Sequence, residues 1–159
     1  MRIKPDYNLK SIYDIDLSEL KLKGIKIIMF DLDSTLMVSK SGMYLEETKQ
    51  WLSEVQKKFE VVVISNNNSI EYLDKVRAIS DFDVVGSAAK PDITVMKKYL
   101  EDKGIMPSEA VMVGDRPLTD ILGGIRLGCI TILVDSINAE NENKPTRFVR
   151  WLERCTIKH

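Results

Sequence analysis

Two aspartates, Asp31 and Asp33, stand two residues apart in the stretch FDLDSTL, just where the strand-forming run Ile25 to Phe30 stops. Carboxylates brought that close repel one another unless a proton, a cation or solvent intervenes. Either the end of this strand is fully wet, as in a solvated turn where Asp is common for its local hydrogen bonds, or it holds a metal. The carboxyl end of a strand is where open α/β sheets bind ligands. The pair alone does not decide between the two, and the rest of the chain must.

Other polar residues fall at equivalent places. Ser65 and Asn66 follow the apolar run VVVI, Gly114 and Asp115 follow AVMV, Asp120 opens a helical segment, and Lys90 stands beside Pro91 ahead of another. Each has a bland reading by itself: Lys90 as a solvated lysine, Ser65 and the asparagines after it as a polar turn and helix cap, Asp120 as a charge suited to a helix dipole. In a parallel sheet, however, every strand finishes on the same edge, so these residues converge. Carboxylates, a hydroxyl and an ammonium gathered in this way suit phosphoryl transfer through an aspartyl-phosphate, a known use of Asp as nucleophile. Asp31 would attack phosphorus. Asp33 would protonate the leaving oxygen and then deprotonate the hydrolytic water. Ser65 and Asn66 would hold the phosphoryl group and Lys90 would balance its charge. A divalent cation is needed to bring a phosphate dianion near these acids, and oxygen-only ligands point to Mg²⁺.

The elements that must carry these residues alternate. Strands are expected at Ile25 to Phe30, Val61 to Ser65, around Val84 and Val85, at Ala110 to Val113 and at Ile130 to Val134. Continuous apolar runs of this kind suit strands buried on both faces of a parallel sheet. Helical patterns occupy Leu45 to Phe59, Ser69 to Ser80, Ile93 to Lys103 and Leu118 to Leu127. Alternation of the two predicts a three-layer α/β/α sandwich with right-handed crossovers. Gly104 and Gly128 stand where left-handed residues would end helices, and Pro91 suits a first helical turn. A polar loop is expected from Asn138 to Lys144, then a short helix from Pro145 to Arg154.

At 159 residues and 18.1 kDa, the chain reads as one domain spanning 1–159. A formal net charge of -1 gives no global reason to expect nucleic acid, so an anionic partner must be held locally. Cys129 and Cys155 form no CxxC and suggest a reducing compartment, with Cys129 a small buried residue rather than a nucleophile. The single histidine, His159, is terminal, which removes histidine triads and histidine metal sites. The N-terminal segment lacks the continuous apolar region of a signal peptide, and no apolar run approaches the roughly 20 residues of a membrane span. The expected location is the cytoplasm.

The motifs DLDST (Asp31 to Thr35), VVVISN ending at Asn66, Lys90, and GDRPLTD (Gly114 to Asp120) resemble, in order, the four motifs of the haloacid dehalogenase (HAD) superfamily. The resemblance implies a Rossmann-like fold, Asp31 as nucleophile, Asp33 as acid/base, Ser65 as phosphate binder and Lys90 as the stabilising lysine. It implies Mg²⁺ held by Asp31, the backbone carbonyl of Asp33 and Asp115. For Asp120 two roles stay open, orienting Lys90 or a metal-bound water. Asp33 favours a phosphatase or phosphomutase over a dehalogenase, whose halide leaves without a proton, and over P-type ATPases, which are similar here but carry Thr. The opening PDYNLKSIYDIDLSELKLKGIKIIMFDLDSTL and the later GDRPLTDILGGIRLGCITILV resemble the YqeG family of subclass IIIA, itself similar to mitochondrial phosphatases of phosphatidylglycerophosphate. Ser34 and Arg116 replace the Asn and Gln frequent there, and Arg116 either adds an anion contact or faces solvent.

Many members of the superfamily enclose small substrates with a cap domain between motifs, but Leu36 to Lys58 has room only for a flap and one helix, and Ser69 to Ala89 only for a helix and a strand. A capless, open site suits a phosphate on something large: a lipid headgroup, first of all phosphatidylglycerophosphate, a protein or a nucleic-acid end. The segment KPTRFVRWLERCTIK has a basic amphipathic pattern that either touches an anionic membrane or packs Phe148, Trp151 and Leu152 on the sheet. Ile12, Tyr13, Ile15, Leu17 and Leu20 are expected to pack on the core. The alternative to catalysis is a binding or assembly factor, for instance in ribosome biogenesis, that keeps the fold but acts by docking.

Overall fold

The computed structural model describes residues 2–137, 152–155 and 157. Among these residues, six strands form one parallel sheet: β1 Tyr7–Leu9, β2 Ile27–Phe30, β3 Glu60–Ile64, β4 Asp83–Val85, β5 Ala110–Gly114 and β6 Ile130–Val134, in the spatial order β1-β6-β5-β2-β3-β4. Helices α1 Leu17–Leu22, α2 Glu46–Gln56, α3 Ile70–Ala78, α4 Thr94–Lys103 and α5 Leu122–Leu127 connect them.

Side chains on successive strand residues point to opposite faces, and here both faces are apolar. Ile28, Phe30, Val61, Val63, Val111, Val113, Ile132 and Val134 face one core, which Leu52 and Val55 of α2 and Leu73 and Val76 of α3 close. Ile27, Met29, Val62, Ile64, Ala110 and Met112 face the other, closed by Met96 and Leu100 of α4 and Leu127 of α5. The result is the three-layer α/β/α sandwich with a parallel sheet. All four side chains of β2 are 0% exposed, each contributing about 1.5–3 kcal/mol by burial, so the strand that delivers Asp31 is firmly held. From β2 the chain winds outward through β3 and β4, then returns to the other side of β2 as β5. That reversal makes the crevice at the carboxyl ends of β2 and β5 the switch point of the sheet.

Several expected boundaries shift. β1 is not apparent from composition, because three residues with only alternate burial carry too short a pattern; it pairs with β6 through Tyr7 and Ile132. Ile25 lies before β2, where its N–H closes α1 by donating to Leu20 O at 3.1 Å. The helix expected over Leu118 to Leu127 divides into a π-helical turn, Pro117–Ile121, and α5. Pro91 does not open α4; it follows Lys90 through a cis peptide bond, ahead of Thr94. Gly104 and Gly128, at φ 68° and 91°, end α4 and α5 as expected. Ile12, Ile15 and Leu20 pack in the core, whereas Tyr13 is 40% exposed and meets Trp51 edge-on.

Residues 152–154 are helical. The rest of the helix expected from 145 to 154, with Phe148, Trp151 and the loop at 138–144, lies outside the described residues. Among the described residues no cap domain interrupts the sheet: 31–45 form a loop over the site, and only α3 separates β3 from β4. Among the described residues no helix is long and apolar enough to cross a membrane.

Candidate active site

The loop after β2 is built to present two acids. Asp31 N–H donates to Val113 O at 2.9 Å, extending the β2–β5 ladder one residue beyond the strand. Leu32, fully buried, then offers its carbonyl to the N–H groups of Thr35, Leu36 and Met37, while Ser34, at φ 71°, donates its N–H to Met37 O at 2.8 Å. This tight turn leaves Asp31 and Asp33 at the rim of an open cavity of about 290 Å³ that Ser65, Asn66, Lys90 and Asp120 also line.

Lys90 is the charge centre. Its side chain is 1% exposed, and Nζ donates to Asp31 Oδ1 at 2.9 Å and to Asp120 Oδ1 at 2.8 Å. Burial lowers its pKa, but the charges of Asp120 and Asp31 outweigh burial and raise it, so Lys90 stays an ammonium. Asn66 fixes the backbone from which Lys90 extends: Oδ1 accepts from Lys90 N at 2.7 Å and Nδ2 donates to Lys90 O at 3.0 Å. The asparagine lines the cavity, yet both ends of its amide are engaged in placing the lysine.

Asp120 is brought in by the π-helical turn. Its Oδ2 accepts from Arg116 N at 3.2 Å, and its side chain lies against Gly114, where any Cβ would collide with it. The glycine of GDRPLTD is therefore a matter of space for Asp120. Burial, then the charge of Asp31, pushes Asp120 up to about 6 against the pull of Lys90. Of the two roles open for Asp120, this geometry displays the contact to Lys90. Asp115, 2% exposed, accepts from Thr35 Oγ1 at 3.0 Å through Oδ1, and its Oδ2 is shielded from solvent.

One carboxylate oxygen from each of Asp31, Asp115 and Asp120 lies within 4.8 Å of the others. Three carboxylates, two of them buried, exceed the single charge of Lys90, and all donors are oxygen. This set fits a hard divalent cation. The Asp33 side chain stands apart from it: Oδ1 accepts from Tyr72 OH at 2.6 Å and from Lys40 N at 2.9 Å. Ser65 Oγ accepts from Asn67 N at 3.0 Å, which leaves its proton to be donated toward the cavity.

The sequence reading missed Tyr72, Thr35 and Glu153. Tyr72 sits in the first turn of α3, three residues after the Ser69 cap, so the loop leaving β3 was the available signal. Glu153 holds Arg116 through Nη2–Oε1 at 2.7 Å and Nε–Oε2 at 3.2 Å; no local pattern announces that pairing. Arg116 therefore spends its fork on a carboxylate while remaining at the cavity wall. Cys129 is buried and its thiol pushed up to about 12, a packing residue as expected.

Sheet order, and acids placed at its switch point, define the class: hydrolases of the HAD fold. Residues 87–150 match the HAD-hydrolase-like family. Over 154 residues the chain is 31% identical to the probable phosphatase YqeG of Bacillus subtilis, covering 94% of this chain and 87% of the relative, and it belongs to that family of HAD phosphatases. It is also 29% identical to the chloroplastic/mitochondrial phosphatidylglycerophosphate phosphatase 1 of Arabidopsis thaliana, over 98% of this chain but only 47% of that protein. Among solved structures, an uncharacterized protein from Listeria monocytogenes serotype 4b shares the fold with a TM-score of 0.60 at 22% identity, over 69% of this chain and 78% of that one.

Proposed function

We propose that this phosphatase is a Mg²⁺-dependent phosphomonoesterase that works through phospho-Asp31. The observation that carries the reading is Asp31 Oδ1 held at 2.9 Å by a buried ammonium in the cavity that Asp33 also lines. A carboxylate oxygen of Asp31 attacks phosphorus and the bond to the leaving oxygen breaks, while Asp33 delivers a proton to that oxygen. Asp33 then takes a proton from the water that attacks phospho-Asp31, and phosphate leaves with Asp31 regenerated. The Ser65 hydroxyl donates to a phosphoryl oxygen, and Asn66 keeps Lys90 aimed at the charge that develops there. Asp31, the Asp33 carbonyl and Asp115 would hold the cation, which when bound offsets the charge between phosphate and carboxylates.

For substrate we favour a phosphate on a large or lipid carrier, phosphatidylglycerophosphate first. The open cavity supports it, as does the activity named for the Arabidopsis relative. The test is phosphate release from a panel of phosphomonoesters that includes this lipid in mixed micelles, with Mg²⁺ present or chelated and with Asp31→Asn as control. Release that needs both Mg²⁺ and Asp31, and is concentrated on the lipid, supports the whole reading. Efficient turnover of another ester with none from the lipid rejects the substrate, and full activity in Asp31→Asn rejects the mechanism.

A further inference from the structure

We propose that Tyr72 is the positioning residue of the acid/base step, fixing Asp33 so that its Oδ2 alone carries the transferred proton; this rests on the role given to Asp33 above. Asp33 Oδ1 accepts two hydrogen bonds, from Tyr72 OH at 2.6 Å and from Lys40 N at 2.9 Å. A carboxyl oxygen has two lone-pair directions, so Oδ1 is filled and an acidic proton is confined to Oδ2. With both donors in place the carboxyl cannot flip its oxygens without breaking the pair, and proton delivery keeps one direction.

The tyrosine is well anchored for this task. Its N–H is capped by Ser69 Oγ at 3.2 Å at the start of α3, and its ring packs against the core. The hydroxyl also meets Met37 Sδ at 3.5 Å and faces the Gly42 amide. Tyr72 thereby joins α3, the acid and the loop over the site at a single oxygen. A phenol is protonated at neutral pH, and its O–H is the donor in the bond to Asp33. Lys40 supplies the second donor from a backbone at φ 60°, a left-handed conformation that a non-glycine residue seldom adopts.

Positioning of an acid is read in leaving-group dependence. As the P–O bond breaks, a nitrophenolate departs without a proton, whereas phenolate and alkoxide need the one on Asp33. The experiment measures the single-turnover rate of phenol release by the Mg²⁺-loaded full chain, for 2,4-dinitrophenyl phosphate and for phenyl phosphate. It compares wild type, Tyr72→Phe and Asp33→Asn. Removing a general acid costs about 10²–10⁴-fold, and loosening it should cost part of that. Tyr72→Phe is expected to slow phenyl phosphate by about tenfold or more, with the dinitrophenyl ester slowed by less than about threefold and KM kept.

Equal slowing of both esters, or of neither, in Tyr72→Phe while Asp33→Asn shows the steep dependence overturns the inference and leaves Asp33 as the acid. A flat dependence in Asp33→Asn overturns the acid assignment and the role of Tyr72 with it. Tyr72→Phe keeps the ring and its packing, and a thermal melt run beside the kinetics verifies the fold.

Discussion

Lys90 Nζ donates to Asp31 Oδ1 at 2.9 Å across 59 residues of sequence. The same buried ammonium binds Asp120 Oδ1 at 2.8 Å, so a change at Lys90 should act on stability and, under the proposed mechanism, on chemistry together. Lys90→Met strands two carboxylates beside one another, which should cost about 3–5 kcal/mol and abolish turnover of an aryl phosphate. Adding Asp120→Asn removes one of the stranded charges and should restore most of the stability, but not the activity. Urea denaturation beside a turnover assay separates the two, and a double variant that works at wild-type rate would remove Lys90 from the chemistry.

Asp120 gives the metal-free protein a pH dependence whose sign is fixed. Burial and the charge of Asp31 raise its carboxyl from 3.8 to about 6. A folded-state pKa above the unfolded one means that the folded state binds the proton more tightly. The stabilisation is therefore complete below about 3.8 and is lost as pH rises through about 6. Lys90 is raised as well and stays charged throughout this window. In chelator, wild type should lose roughly 1–3 kcal/mol relative to Asp120→Asn across this range, seen as melting curves that diverge with pH. Curves that stay parallel would show that Asp120 is ionised in the folded state well below this window.

Arg116 is at the cavity wall, but its guanidinium is paired through two nitrogens with Glu153, whose side chain is 6% exposed. Glu153 takes two of the five guanidinium N–H donors and offsets its charge, so the pull left for a second anion is weakened. Arg116→Gln is thus expected to cost about 1 kcal/mol of stability while KM for a small phosphomonoester changes less than about threefold. A KM raised tenfold or more with stability unchanged would mean that the guanidinium leaves Glu153 to bind substrate.

The fold and the ring of acids were legible because strand ends report positions in space. β2, β3, β5 and β6 are continuous apolar runs, and in a parallel sheet their carboxyl ends meet, so Asp31, Ser65 and Asp115 could be brought together without coordinates. What stayed hidden depends on contacts between turns. Asn66 reads as a phosphate ligand by its place after β3, yet its amide bonds the Lys90 backbone from 24 residues away. Tyr72 lies six residues beyond Asn66, in the first turn of α3, where its ring packs and its hydroxyl donates to Asp33. β1 needed the β6 edge to exist before its three residues could pair with anything.

Gly114 offers a final separation of packing from catalysis. A Cβ there would collide with Asp120 at its Cβ, Cγ and Oδ2, and Asp120 cannot swing aside without giving up Lys90 and the Arg116 amide. Gly114→Ala should therefore destabilise by about 1–3 kcal/mol, the usual cost of overpacking, and should also cut activity at least about tenfold as Lys90 loses its second anchor. Gly104→Ala is the matched control. It has open space around a Cβ but ends α4 at φ 68°, so its cost of about 1–2 kcal/mol is backbone strain alone. Both variants should melt earlier than wild type, and only Gly114→Ala should lose turnover when assayed well below its melting temperature. Equal activity in the two would show that Asp120 can move without disturbing Lys90, and that the ammonium is held by Asp31 alone.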